Sequence, residues 1–258
     1  MMPILDEIIL VVKSAGKHIM QFYEQEIQVS YKDDKSPVTK ADIEAEEILK
    51  EGLAHFNFGC ICEETPEDYL EHDYVWVIDP LDGTKDFVEK TGEFAVMVGL
   101  LYKNKPILGV VYAPALDKLY TAKKGEGAFL NGKPIQVSTI KDLRQFRVVT
   151  SKFHFDKKDQ SCIDRLNVLS VKKVGSAGVK VGLVAEGKAE LYFNRHDFMG
   201  KWDCCAPQVI LEEAGGAVYD INGAPLSYES EKRNMPTGII ATNNTNKEQI
   251  LRILNPPL

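Results

Sequence analysis

Apolar side chains fall at Ile4, Leu5, Ile8, Val11, Val12, Ala15, Ile19 and Phe22, close to a helical repeat, and predict an amphipathic helix over residues 3–24. Residues 27–31 alternate as a strand does, and Lys32-Asp33-Asp34-Lys35 reads as a charged loop. An acidic helix then runs to about His55, entered through Ser36-Pro37-Val38-Thr39-Lys40-Ala41-Asp42, where Thr39 and Asp42 have capping-box spacing. Gly59-Cys60-Ile61-Cys62 is an apolar strand ending in Glu63-Glu64, and residues 65–74 form a polar loop. Val75-Trp76-Val77-Ile78 is a second apolar run that Pro80 stops at once.

Strands are expected at 93–102 and 106–113, around Lys103-Asn104-Lys105, and at 119–122 and 128–130. Gly125-x-Gly127 between the last two opens no helix, so it reads as a hairpin turn rather than a phosphate loop. The β-rich first part ends near residues 135–140, which divides the chain into parts 1–138 and 139–258. The second part mixes strands at 146–150 and 171–174 with a helix from Ser176 to about Glu186. Next come a strand beginning at Leu191, an apolar helix after Pro207 that ends at Gly215-Gly216, strands at 217–219 and 238–242, and a final helix over 247–254. Such an order, mixed and without long βαβ repetition, is α+β.

Composition narrows the function only by exclusion. With 44% hydrophobic and 27% charged residues the 258-residue chain has an ordinary globular make-up. A net charge of −7 argues against a nucleic-acid polymer as partner but permits a small phosphorylated one, if bound cations supply positive field locally. The longest apolar run near the start, residues 8–12, is too short for a membrane span, and no secretion signal is evident. Five cysteines without C-x-x-C spacing read as reduced thiols, which suits a cytoplasmic protein.

The chemistry concentrates after the 75–78 strand, in Asp79-Pro80-Leu81-Asp82-Gly83-Thr84. Two carboxylates this close repel unless a cation or protons intervene, and magnesium suits an all-oxygen donor set. Pro80 and Leu81 break the alternation of an EF-hand loop. The D-P-L-D-G-T string resembles the signature of the lithium-sensitive, magnesium-dependent phosphatases related to inositol monophosphatase. Fructose-1,6-bisphosphatase and the CysQ-type 3'(2'),5'-bisphosphate nucleotidases belong to the same group. S-P-V-T-x-A-D at 36–42 and W-D-x-x-A-P-x-x-I-L-x-x-A-G-G at 202–216 are similar to two further segments of that family, in the same order.

The resemblance implies a layered α-β-α-β-α sandwich with the site between the two parts, acting with two or three magnesium ions. Glu63, Asp79 and the Leu81 carbonyl would hold one ion, and Asp79, Asp82 and Asp203 a second. Gly83 N–H and the Thr84 hydroxyl would receive phosphate oxygens, with Glu63, Leu81, Asp82 and Asp203 also lining the substrate. Asp42, through Thr84, would take a proton from the attacking water; a helix cap is an equally open reading of Asp42. Ser151 and His154, and Gly175, Ser176 and Lys180, resemble the nucleotide-contacting segments, so 3'-phosphoadenosine 5'-phosphate is the expected substrate. Ser176 alone reads as an N-cap, but a helix entered through Gly175-Ser176 with Lys180 a turn further on is also a ready anion site, suited to the substrate's 5'-phosphate. An inositol phosphate is the second substrate reading and a non-catalytic cation- or phosphate-binding protein the third. The expected assembly is a monomer or homodimer.

Overall fold

The computed structural model describes residues 4–27, 29–31, 37–65, 72–197, 199–230 and 232–255. The charged loop 32–35, Ser36, Gln28 and residues 66–71 of the polar loop lie outside the described residues. The chain opens with α1 (Ile4–Tyr23), a short antiparallel pair β1 (Val29–Tyr31) and β2 (Pro37–Thr39), and α2 (Lys40–Leu53). Next come β3 (Gly59–Cys62), β4 (Tyr74–Asp82), the one-turn α3 (Thr84–Val88), and β5 (Ala95–Tyr102). Strands β6 (Lys105–Ala113), β7 (Lys118–Lys123), β8 (Ala128–Leu130) and β9 (Lys133–Pro134) complete a seven-stranded sheet in sequential order. Only the β3–β4 pair in it is parallel.

Alternation along these strands sorts their side chains between two cores. On β4, Trp76 and Ile78 face a cluster with Ile8, Val12, Leu49 and Leu53, so α1 and α2 cover that face. Val75 and Val77 face the opposite cluster, shared with helices of the second part. Those are α5 (Ala177–Ala185) and α6 (Lys201–Glu213), which lie in the middle of the molecule.

Beyond them a five-stranded sheet runs β11–β10–β12–β14–β13, from β10 (Arg147–Ser151), β11 (Ser170–Val174), β12 (Leu191–Asn194), β13 (Ala217–Asp220) and β14 (Ile239–Thr242). Its outer face packs against α4 (Lys157–Leu166) and α7 (Lys247–Leu254) through Cys162, Ile163, Leu166, Ile250 and Leu254. The layers are therefore α-β-α-β-α, as expected.

Two glycines set the spacing that matters for function. Gly99 on β5 and Gly109 on β6 stand opposite each other in register. A Cβ on the first would come within 2.5 Å of Cys205 Sγ, and one on the second within 2.3 Å of the Ala206 carbonyl oxygen. Their bare backbone lets α6 lie directly on the large sheet, which brings the start of α6 to the end of β4.

The structure departs from expectation in several elements. Strand β4 runs through Pro80 to Asp82 instead of stopping at the proline, which the register shift there accommodates, and Pro37–Thr39 and Lys133–Pro134 pair as the short strands β2 and β9. Helix α6 begins at Lys201 and takes in Pro207, rather than following it. Proline in a helix interior removes its own bond back to residue i−4 and crowds that carbonyl, here of Asp203, but the surrounding core keeps the helix intact. Helix α4 follows a capping box, in which Asp156 Oδ1 accepts from the Lys158 and Asp159 amides at 2.7 and 2.8 Å. Its polar first turn hid it. Helix α3 is a single turn after Gly83, whose φ of 91° needs glycine. Strand β5 starts at Ala95, not residue 93, because the Glu93 carbonyl turns to accept the Ser176 amide at 3.1 Å.

The Gly125-x-Gly127 segment is a turn, and both its amides donate to the Glu213 carboxylate at 2.9 Å.

Candidate active site

The site forms where β4 loses its regular pairing. The register with β5 shifts between Asp79 and Asp82, so the strand end bulges and turns both carboxylates toward the second part of the molecule. Asp79 is buried and accepts the Leu81 amide at 3.0 Å. Asp82 reaches across to α5: its carboxylate accepts the Ala177 and Gly178 amides at 3.1 and 2.7 Å and the Ser176 hydroxyl. A carboxylate at a helix N-terminus is held by exposed amides and by the helix dipole, so Asp82 fastens the two sheets' layers together.

Asp203, in the first turn of α6, accepts the Gly200 amide at 2.6 Å. Carboxylate oxygens of Asp79, Asp82 and Asp203 lie within 4.8 Å of one another. Glu63, just past the end of β3, lines the same cleft. Burial first, and then Glu63, Asp82 and Asp203, push Asp79 well above the usual carboxylate range. Burial also raises Asp203, helped by Asp82 and Glu63 and opposed by the Gly200 amide and Lys180. So dense an all-oxygen cluster of buried and half-buried acids fits a hard divalent cation, and the cost of ionising it is what such a cation removes.

Asp42 meets both of its expected geometries at once. Its Oδ2 accepts the Thr39 amide and hydroxyl at 2.7 and 2.6 Å, closing the α2 cap. Its Oδ1 accepts the Thr84 hydroxyl at 3.0 Å. Burial pushes Asp42 up to about 6, against the hydrogen bonds from Thr39. A hydroxyl has one proton, so a Thr84 that donates to Asp42 turns its lone pairs to the cleft. Thr84 Oγ1 also lies 3.2 Å from the Leu81 carbonyl.

The opposite wall of the cleft, about 780 Å³ in volume, carries Ser151, Phe153, His154, Gly175, Lys180, Tyr192 and Asn194. Here the arrangement differs from the sequence reading in one respect. The start of α5, expected to receive a substrate phosphate, is already occupied by Asp82, and the fully buried Ser176 both donates to Asp82 and caps Val179 at 3.0 Å. The nearest strong anion took the helix end. Lys180 is buried, with its ammonium donating to the Gly175 and Val174 carbonyls, 5.1 Å over the Tyr192 ring. Burial lowers its pKa, while Asp82 and Asp203 pull it back up, which places its charge in the field of the carboxylates.

The Ser151 hydroxyl accepts the His154 amide at 3.0 Å. Burial, then the charges of Lys85, His196 and Lys180, bring His154 down to about 4, so its ring is neutral near pH 7. Several residues of the cleft escaped the sequence reading, Tyr192 and Asn194 among them. Lys85 lies 5.7 Å from the Phe153 ring, and Arg233 and Asn234 come from the segment before β14. Lys152 braces this wall from behind, pairing with Asp86 at 3.3 Å and Glu89 at 3.2 Å.

A layered α-β-α-β-α fold whose two sheets meet at carboxylates from the ends of β3 and β4 and the start of α6 defines a class of phosphatases. The chain matches the inositol monophosphatase family over residues 2–256, and it belongs to that family. It is 33% identical over 239 residues to the 3'(2'),5'-bisphosphate nucleotidase CysQ of Haemophilus influenzae, covering 89% of this chain and 88% of that one. It is 36% identical to the CysQ of Shigella flexneri over 231 residues, or 87% and 93% of the two chains. A histidinol-phosphatase of Chlorobaculum parvum is 35% identical over 251 residues, covering 95% and 93%.

Among solved structures, the extragenic suppressor protein suhB of Bartonella henselae superposes with a TM-score of 0.88 at 28% identity, covering 99% of both chains. An inositol monophosphatase of Thermotoga maritima gives 0.86 at 28% identity, over 97% of this chain and 96% of that one. The chain is thus a phosphatase, and no helix among its described residues is long and apolar enough to cross a membrane.

Proposed function

We propose that this chain hydrolyses the 3'-phosphate of 3'-phosphoadenosine 5'-phosphate, giving AMP and phosphate, with magnesium held by Glu63, Asp79, Asp82, Asp203 and the Leu81 carbonyl. The observation that carries the reading is the convergence of Asp79, Asp82 and Asp203 within 4.8 Å beneath a cleft whose far wall is aromatic and basic. Bound divalent cations would supply positive charge that makes a water nucleophilic near neutral pH and offsets charge on the leaving oxygen. Asp82 keeps a lone-pair position open beside the three donors it already accepts, since an ionised carboxylate has about four.

Thr84 orients the attacking water, accepting its proton as its own passes to Asp42 along the 3.0 Å hydrogen bond. The amide of Gly83 and the hydroxyl of Thr84, which line the cleft, would lie beside the phosphate. On the far wall the neutral His154 ring and Phe153 suit an adenine face, and Lys85 and Lys180 suit the 5'-phosphate. Ser151 shapes the turn that presents His154, and Gly175 gives Lys180 its carbonyl anchor. The names of the relatives favour a bisphosphate nucleotide over an inositol phosphate, while the structural neighbours carry the second name.

The test is a panel of kcat/KM values for phosphate release from the nucleotide, its 5'-phosphosulfate analogue, inositol 1-phosphate, histidinol phosphate and fructose 1,6-bisphosphate, with the nucleotide product identified. The bisphosphate nucleotide is expected to lead and to yield AMP; a higher value for inositol phosphate would reverse the assignment. Within that reading, His154→Ala is expected to raise KM for the nucleotide by about tenfold, the worth of a modest base–ring contact. Hydrolysis of a small aryl phosphate should be unchanged. Equal KM values for the nucleotide in wild type and variant would remove His154 from the binding wall. Lys180→Ala is a poorer probe, because that ammonium also faces Asp82 and Asp203.

A further inference from the structure

The turn that carries Glu63 is held from two sides by side chains of opposite charge. From α2, the buried Glu46 carboxylate takes its donors: the Glu64 and Thr65 amides at 2.8 and 3.0 Å, and the Thr65 hydroxyl. From the second part of the chain, the Arg233 guanidinium takes its acceptors, donating to the carbonyls of Cys62, of Glu63 at 3.1 Å and of Thr65 at 3.5 Å. One guanidinium nitrogen thus faces the carbonyls on both sides of the Glu63 side chain.

Arg233 is equally tied to the other metal-bearing segment. Its own carbonyl accepts the amide of Lys201, the first residue of α6, at 3.0 Å. Its guanidinium carbon stands 4.8 Å from the ring of Trp202, the residue before Asp203. Neighbours on either side fix the strap: Asn234 bridges to Gly200, and the Met235 amide donates to the Met199 carbonyl at 2.8 Å. The same side chain therefore touches the backbone under Glu63 and the helix turn under Asp203, although 170 residues separate Arg233 from Glu63.

We propose that Arg233 is a positioning residue for metal binding, a strut that fixes the separation of the Glu63 and Asp203 carboxylates across the two parts of the chain. The inference rests on the metal-site reading given under Proposed function. Arginine suits the task because its planar guanidinium stands over the Trp202 ring while one of its nitrogens reaches these carbonyls, and a compact lysine ammonium does not do both. Without it, each carboxylate is still present but the pair is no longer held at one spacing, so affinity for the cation falls before the chemistry does.

Manganese binding to the full-length chain, followed by the paramagnetic resonance of the free ion, tests this directly, with thermal melting run alongside. Arg233→Met is expected to weaken manganese binding by about tenfold or more, as loss of a group that orients metal ligands does, with melting within a few degrees of wild type. The magnesium concentration for half-maximal phosphate release should rise in parallel. Arg233→Lys keeps the charge and the fold but not the planar group over Trp202, and should also bind manganese more weakly, by about threefold or more. It carries the test if Arg233→Met does not fold. Wild-type affinity in either folded variant overturns the strut. Absence of manganese binding in wild type, matched by Asp79→Asn, overturns the metal-site reading and the strut with it.

Discussion

Asp79→Asn is expected to abolish phosphate release while leaving the fold intact and the metal-free protein no less stable. The charge removed is buried and surrounded by Glu63, Asp82 and Asp203, all of which raise its pKa. A carboxyl whose native pKa lies above its unfolded value binds more protons when folded, so its contribution to stability falls as pH rises past about 4. A neutral amide of the same shape relieves that repulsion and keeps an oxygen to accept the Leu81 amide. It also replaces a charged magnesium ligand by a weaker one. The two effects have opposite signs: melting without metal rises or holds, while the stabilisation that magnesium gives to wild type disappears. Calorimetric scans with and without magnesium, run beside a turnover assay, read both. A variant that turns over normally, or one that magnesium still stabilises as it does wild type, contradicts the role given to Asp79.

Asp42→Asn is expected to lower kcat by roughly 10²- to 10⁴-fold, the usual contribution of a general base. Its carboxylate is raised to about 6, chiefly by burial, and serves as base only when ionised. Wild-type kcat is therefore expected to rise with pH through about 6 and then level, and the rising limb should be missing from the residual activity of the variant. The cap supplies the competing explanation, since Asp42 Oδ2 accepts both Thr39 donors. If capping were its whole contribution, the substitution would cost about 1 kcal/mol of stability and leave turnover nearly unchanged. Stability and kcat measured on the same variant separate the two, and a loss confined to stability would remove Asp42 from the chemistry.

The residues that could be read from sequence share a physical feature: each stands where a regular element begins or ends. Asp79 and Asp82 flank the proline near the end of an apolar strand, Glu63 follows another, and Asp42 and Asp203 sit in first helical turns. Local pattern marks such places, and the family signatures added their grouping. What escaped was long-range. The partners that hold Asp82 lie 94 to 96 residues away on α5, and nothing in the local string shows that a carboxylate rather than a substrate phosphate would occupy that helix end.

Glu46 was lost among Glu44, Glu47 and Glu51 of an acidic helix, yet its phase gave a signal. Asp42, Glu46, Leu49 and Leu53 recur at steps of four, three and four residues, and all four are buried on one face of α2. Helix α4 offered the same kind of clue, with Cys162, Ile163 and Leu166 spaced for one face behind an aspartate cap. Arg233 gave none. It lies in a segment without regular structure, and only the packing of that segment around α6 makes it part of the site.

The most direct test of the central claim is phosphate release from 3'-phosphoadenosine 5'-phosphate by the wild-type chain as magnesium is removed with chelator and then restored. A cation held by Asp79, Asp82, Asp203 and Glu63 predicts release falling to background in chelator, full recovery with magnesium, and AMP as the product. Undiminished release in excess chelator would contradict the account.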